Sequence, residues 1–520
     1  MANENDVAVV DVSLEGGGIT RQGFGILMLL SNTGNAWASS ELTRDYADLD
    51  AVAADFPSGT PEYGAASEFF GQELKPPKLI VGKGTNKPQQ VKQITIGTVA
   101  NSTLYKVNLY NSGRLWSAEY TSDASATRKE IVEGLKAAIT PSAWASATGY
   151  TVGQRVLNDT GKIYECTVAG TSAGSGGPTG TGAAITDNTA TWKYIATPNF
   201  AATEDDVTLT LTGSATGNWF SAEPLPVGGD PKAVSNYMSI KDTTADPGVA
   251  TDLTAIKSYD ARWFAVGLLF KSTAILSTPS TGVATWCNAN RRLLLASLSD
   301  TESATVALAS GTDCLAVLEG AGQRFVAGMW HPRDYVWFDF AKLGFFLPRE
   351  PGSYQWSAKS YAGVDVVSLT DTHKTNLNAR RSAFYYLLGG TPADGGLGQV
   401  MDSTWGFIDT VVDLEWFGVN AQADLIDLEL GQLKVANTGP GRAKIKGVLE
   451  ARCENGIAKG VVAPDPYNPP TIMDPYLVTV PPVSDTASFN ATTRKLSNIE
   501  IEFNHADAVR TFAVLVRVAQ

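Results

Sequence analysis

His331, His373 and His505 are the chain's three histidines, and their spacing decides the first chemical question. A zinc protease needs two imidazoles one helical turn apart with a glutamate beside them, as in H-E-x-x-H. No pair here is placed that way. His331, in MWHPRD close to Asp334, follows an apolar run and reads as a structural hydrogen-bonding group. The four cysteines, Cys166, Cys287, Cys314 and Cys453, stand too far apart for a metal-ligand pair or a disulfide framework, which fits a reducing compartment. Residues 170–174, GTSAG, match G-x-S-x-G letter for letter. A nucleophile elbow, however, needs a strand before its serine and a helix after it, and this match lies in a Gly/Ser/Thr loop. Gly82-Lys83-Gly84 shares only its Gly-Lys with a phosphate loop, and the glycines near Gly16 and Gly23 miss the G-x-G-x-x-G spacing. Carboxylates are plentiful, but none is marked by its context as one of an acid–base pair. These residues point away from an enzyme, and no metal or cofactor is expected.

The elements that could position any site belong to a large folded chain. It has 520 residues, 43% hydrophobic and 18% charged, enough for about three or four domains. Forty Lys and Arg stand against 53 Asp and Glu, a net of -13 that repels phosphate backbones, so nucleic acid is not expected as a direct partner. The N-terminal stretch lacks a basic region followed by an apolar one, and the apolar runs Phe24–Leu30 and Trp263–Phe270 are far shorter than a bilayer crossing. Synthesis and folding in a cytoplasm are therefore expected.

Both ends of the chain alternate. Val10, Val12 and Leu14 interleave with polar residues ahead of Gly16-Gly17-Gly18, and Phe512, Val514, Val516 and Val518 share one side of a run that reaches nearly to Gln520. Two arrangements fit: strands paired within their own subunit, or arms added to a neighbour's sheet. Between them the pattern predicts a strand over Gly25–Ser31, an aromatic helical stretch, and a strand over Lys78–Gly82. A strand-rich unit follows, with a helix that a Thr127-x-x-Glu130 capping box begins, whose apolar face is Ile131, Leu135, Ala138 and Ile139, and which Pro141 ends. Residues 142–196 are crowded with Gly, Thr, Ser and Ala and read as an inserted module. From Asp230 onward, helix-period stretches alternate with short apolar strands. One helix is expected from about Asp371 to Leu388, stopped by Gly389, with Leu377, Phe384 and Leu388 on one face; another runs from about Val411 to Leu430. No Lys or Arg occurs between Ser382 and Leu433, whereas Asp394, Asp402, Asp409, Asp413, Glu415, Asp424, Asp427 and Glu429 all fall there. Such a run is a solvated face, or a docking surface for a partner or another copy.

Several stretches, in order, resemble the tail sheath protein of contractile-tailed bacteriophages. Gly352–Leu388 resembles that family's G-x-x-x-W-x-x-K segment followed by G-V, L-T and a tyrosine-rich end. Gly406–Phe417, GFIDTVVDLEWF, resembles its G-x-I-D segment, and Lys434, Gly441, Ile445, Gly456, Gly460 and Arg494 follow the pattern of its C-terminal part. The insert resembles a small chitin-binding module at Trp144, Tyr150, Gly153, Val156, Gly161, Tyr164 and Trp192. ECTVAG stands where binding members carry exposed tryptophans, which favours a decorative surface domain.

The resemblance implies an α+β, multi-domain chain: an α/β sheath core with terminal β-strand arms, a β-rich middle domain and a small all-β inserted module. The expected boundaries are an arm over 1–18, core over 19–88 and 223–400, and middle domain over 89–141 and 197–222. The insert takes 142–196, a C-terminal sheath domain 401–507 and a second arm 508–520. It implies a mechanical subunit, stacked as hexameric rings on copies of itself around a tail tube protein, and meeting baseplate and tail terminator proteins in a phage tail assembled in the bacterial cytoplasm. Val10, Val12, Leu14, Phe512, Val514, Val516 and Val518 would be the inter-subunit arms. Asp413, Glu415, Asp424, Asp427 and Glu429 would contact tube or subunit, and Trp144, Tyr150 and Trp192 would form any weak glycan platform. The alternatives are the sheath of a tailocin-like injection device and, in a different class, a cell-surface glycan-binding phage protein.

Overall fold

The computed structural model describes residues 23–508, apart from 36, 279 and 468–472. The alternating segments at Val10, Val12 and Leu14 and at Phe512, Val514, Val516 and Val518 lie outside the described residues. The chain is mixed α and β, with several sheets and several separate hydrophobic cores.

The first elements are β1 (Leu27–Ser31), β2 (Thr43–Tyr46), α1 (Leu49–Asp55), α2 (Pro61–Phe70) and β3 (Leu79–Lys83). β1 is an unbroken apolar run with all five residues buried, as a parallel strand covered on both faces must be. α2 begins with Thr60 as N-cap and Pro61 in its first turn, where the missing N–H costs nothing.

The β-rich part contains β4 (Val91–Ile96), β5 (Leu104–Asn111), β6 (Arg114–Thr121) and α3 (Arg128–Ile139). α3 opens on the expected capping box of Thr127 and Glu130 and buries Ile131, Leu135 and Ile139. Six short strands follow: β7 (Gly149–Tyr150), β8 (Arg155–Asn158), β9 (Lys162–Val168), β10 (Gly170–Thr171), β11 (Ile185–Asp187) and β12 (Ala190–Ala196). They enclose a small core of their own, Val156, Tyr164, Cys166, Ala190 and Trp192. The chain then returns to β13 (Phe200–Glu204), β14 (Thr208–Gly213), β15 (Ser221–Pro224) and β16 (Met238–Asp242). β13, β14, β4 and β16 make one sheet and β15, β5 and β6 another, so residues well past 222 complete this layer.

The remaining α/β elements are α4 (Val249–Tyr259), β17 (Ala265–Leu268), α5 (Thr273–Ser277), α6 (Val283–Ala289), β18 (Leu293–Leu298), α7 (Thr301–Thr305), α8 (Cys314–Ala321), β19 (Val326–Trp330), α9 (Phe338–Phe346), α10 (Asp371–Ala379), β20 (Ala383–Leu388) and β21 (Thr391–Gly395). They finish an eight-stranded sheet in the order β2-β3-β1-β17-β18-β19-β20-β21. The inner six strands run parallel, and the two edges, β2 and β21, run antiparallel. Strand order reverses between β1 and β17, the topological switch point of such a sheet.

One expected helix is corrected here. The segment from Asp371 to Leu388 is α10 followed by β20, not a single helix. Arg381 turns the chain at φ 54°, and Phe384 joins Trp330 of β19 in the parallel ladder. Burying Phe384 and Tyr385 at the sheet outweighs the helical spacing of Leu377, Phe384 and Leu388. Gly389 does not stop a helix. With Gly390 it makes the tight β20–β21 turn, both at positive φ as a two-residue hairpin loop demands.

The β-rich layer is tied to the α/β core by buried charge. Lys92 of β4, 1% exposed, pairs with Asp334 and lies 3.6 Å from Asp242, while Arg333 meets Glu223 of β15 at 2.9 Å. The last elements, α11 (Ile408–Leu430), α12 (Gly439–Lys459), β22 (Tyr476–Thr479), β23 (Phe489–Asn490), β24 (Lys495–Leu496) and β25 (Glu500–Phe503), form a further unit with its own core around Phe417, Leu449, Cys453 and Val462.

Candidate assembly site

The chemistry-bearing residues are used structurally. His331 is buried, accepts from the Arg333 N–H at Nδ1 and donates from Nε2 to the Asp365 carbonyl, and burial lowers its pKa to about 4, so it is neutral. Ser172 of GTSAG is buried and donates to the Ala145 carbonyl. The four cysteines are free and buried. Among the described residues no group of three His, Cys, Asp or Glu could hold a metal ion, and no helix is long and apolar enough to cross a membrane.

Of the insert's aromatic residues, Trp144 and Tyr150 are half-buried. Trp192 is fully buried, and Tyr150 meets it edge-on at 4.8 Å. Asp187 gathers the group: its Oδ2 accepts from the indole N–H of Trp144 at 2.8 Å and of Trp192 at 3.1 Å, and its Oδ1 from the Ala173 N–H at 2.8 Å. Trp192 and Tyr164 lie in the module's core, and Trp144 and Tyr150 pack half-buried against it. Asp187→Ala is expected to destabilise this module by about 3 kcal/mol, because the buried Trp192 indole and the half-buried Trp144 indole and Ala173 N–H lose their acceptor together. Limited proteolysis should then cut within 142–196 while the rest of the chain resists.

The acidic run is likewise no single face. Asp394 is buried against Lys342 at 2.8 Å. Asp413 is buried, accepts from the Gly352 N–H at 2.7 Å and pairs with His505 at 3.1 Å. Glu415 is buried 3.6 Å from Arg291. These three belong to the inside of the chain, because each found a cation or donor distant in sequence. Asp424, half-buried, is held by Arg452 of α12 through two bonds of 2.7 and 2.8 Å. Asp427 and Glu429 are exposed. Beside them at the α11–α12 turn stand Leu430, 77% exposed, and Leu433, also fully outside, so the hairpin tip is both apolar and acidic.

Behind that tip, α11 and α12 carry a two-stranded sheet. β22 and β25 pair antiparallel from Tyr476↔Phe503 to Thr479↔Glu500, and neither has another strand as partner among the described residues. Two strands alone are marginal in water. Here Val478 is buried and Phe503 packs on Phe417 of α11 at 4.8 Å, so the helices hold the pair. Sequence reading missed this sheet. The alternation in YLVT and EIEF was the available signal, but each segment is only four residues long.

Just past β25 the chain is clamped. His505 bridges Asp413 on one side and Asp507, at 2.7 Å, on the other, and these carboxylates outweigh burial to raise its pKa to about 9. Residues 504 and 506 also bond to Ala463 and Val461. A histidine whose folded pKa exceeds its unfolded value near 6.5 contributes most below that unfolded value, and its contribution is lost as pH rises through about 9. His505→Asn should therefore cost up to about 3 kcal/mol in this unit at pH 6 and little at pH 10. Hydrogen exchange of β25 at the two pH values checks it, and equal losses at both would sink the clamp.

No family model matches the sequence, and no curated protein matches it. Solved structures do align. A chain of the anti-feeding prophage baseplate, determined by cryo-EM with six-fold symmetry imposed, is 12% identical with a TM-score of 0.38, over 53% of this chain and 73% of that one. A chain of the anti-feeding prophage helical sheath in its contracted state is 13% identical with a TM-score of 0.37, over 53% of this chain and 75% of that one.

Proposed function

We propose that the chain is the sheath subunit of a contractile tail or tail-derived injection device. It polymerises helically around a tube and shortens to drive that tube through a cell envelope. The observation that carries this reading is the β22–β25 pair, a small sheet held on a helical hairpin with no further strand paired to it among the described residues, in a chain whose two ends both alternate like strands in sequence. Each subunit then has two edges to offer and two segments to donate. Donation to a neighbour gives main-chain hydrogen bonds that require no particular side chain, and a head-to-tail contact of this kind propagates as a helix when it does not close.

The division into units suits a part that moves. The sheath core comprises the eight-stranded sheet with the C-terminal unit. The β-rich domain and its inserted module decorate it. Strand linkages keep the lattice connected while cores shift as rigid bodies. Asp427, Glu429, Leu430 and Leu433 at the hairpin tip form the candidate contact with the tube, where screened charge allows a grip to be released. Tube, baseplate and terminator proteins are the further partners, and assembly takes place in the bacterial cytoplasm.

Negative-stain electron microscopy of the purified full chain, alone and with its tube protein, tests this. Hollow tubes or stacked rings are expected in at least the second mixture. Monomers under both conditions would overturn it.

A further inference from the structure

The charges at the seam between the β-rich layer and the α/β core do not balance. Lys92 of β4 reaches across it to Asp334 and lies 3.6 Å from Asp242 of β16. Lys271 beside them is paired with Asp339 of α9. Asp300, which follows β18, is 3% exposed. Its Oδ1 accepts the Asp242 N–H across the seam at 3.0 Å, and its Oδ2 the Cys314 N–H at 3.5 Å. Asp242, Asp300, Asp334 and Lys271 line one cavity of about 20 Å³, so three carboxyls share a single small space. Two amines therefore face four carboxyls, of which Asp334 alone is half-buried and the rest are buried.

The other elements packed on Asp300 do not correct the imbalance. On α8, Asp313 is already held by Arg380, and burial pushes the Cys314 thiol up and keeps it neutral. Glu302 of α7 accepts the Thr312 hydroxyl at 3.1 Å and adds a further carboxyl. Carboxyls crowded in a medium of low dielectric cannot all ionise against two cations without strong repulsion, so docking the layer and holding a proton in the seam are linked.

We propose that this seam is a proton-operated latch, which grips the β-rich layer and its insert on the core and loosens as the seam loses its proton. Burial is the largest cause acting on Asp300, repulsion from Asp242 adds to it, and together they raise its pKa to about 7 in spite of Lys92 and the two N–H bonds. The docked form thus binds a proton that a solvated carboxyl, with a pKa near 3.9, has given up. Docking is strongest below about pH 4 and weakens as pH rises to about 7. β16 is the end strand of its sheet, and the N–H groups of Ile240 and Asp242 are held across the seam by Thr301 and Asp300, each at 3.0 Å. Loosening is felt first at these two amides. The latch is independent of the sheath reading.

Hydrogen exchange on the full chain tests it, expressed as protection factors so that the intrinsic pH dependence of exchange drops out. Protection of the Asp242 amide is expected to fall roughly tenfold or more between pH 5 and pH 8, relative to amides of β18 in the core. Asp300→Asn keeps an oxygen for the Asp242 N–H but cannot titrate, and should flatten this dependence, with circular dichroism confirming that it folds. Thr301→Val removes the Ile240 acceptor without touching any charge, and should lower Asp242 protection by the same factor at both pH values. Protection of Asp242 that does not change with pH, or a slope undiminished in Asp300→Asn, would overturn the latch. If Asp300→Asn does not fold, the slope in the wild type and its persistence in Thr301→Val decide the matter.

Discussion

A chain lacking residues 1–18 is expected to fold with an unchanged melting temperature and to lose polymerisation altogether. Among the described residues, the cores of the α/β sheet, the β-rich layer, the insert and the C-terminal unit are built from residues 24 onward. What the deletion removes is a segment whose sequence alternates, with Val10, Val12 and Leu14 at every second position. Burying three such side chains on a neighbour contributes about 1.5–3 kcal/mol each. Even after half is lost to ordering the strand, each contact weakens by a factor on the order of a hundred or more. A helical lattice repeats that loss at every subunit, so the assembled form should vanish from sedimentation and from micrographs while circular dichroism stays the same. Normal polymers from the truncated chain would rule out strand donation from this end. A chain that no longer folds would mean that the segment pairs inside its own subunit.

How much of this architecture was legible in the sequence depends on how far apart the deciding residues lie. The capping box at Thr127 and Glu130, the apolar run of β1 and the compositional break near 142 are local, and each could be read directly. The acidic run could not, because its meaning was set by distant partners: Lys342 for Asp394, His505 for Asp413, Arg291 for Glu415. A one-dimensional count of charge finds eight carboxylates on one stretch, and the fold turns four of them, Asp394, Asp409, Asp413 and Glu415, inward. The same holds for Trp144, Tyr150 and Trp192. Their spacing is equally that of a sugar platform or a core, and only the fold shows Trp192 buried, Trp144 and Tyr150 half-buried, and Asp187 bonded to both indoles.

The misread helix at 371–388 leads to the largest stability effect expected in the core. What separates α10 from β20 is Arg380, fully buried, whose guanidinium grips Asp313 through Nε at 2.9 Å and Nη2 at 2.7 Å and bonds the Val306 carbonyl at 2.8 Å. Asp313 is equally buried, caps α8 through the Ala316 N–H and accepts the Ser303 hydroxyl. Replacing the pair by apolar residues of the same shape could be nearly neutral, but removing one partner leaves a charge buried alone. Arg380→Ala is therefore expected to cost about 3–5 kcal/mol. Arg380→Lys, which keeps the charge but cannot form the two-pronged contact, should cost a smaller part of that. Because Arg380 stands at the turn that feeds β20 beside β19, the loss should be felt first in the β20–β21 hairpin at the sheet's edge. Urea unfolding measures the first effect and hydrogen exchange the second. A cost for Arg380→Ala under about 1 kcal/mol would mean that water reaches Asp313 once the arginine is gone, and that the turn is held by the sheet rather than by the ion pair.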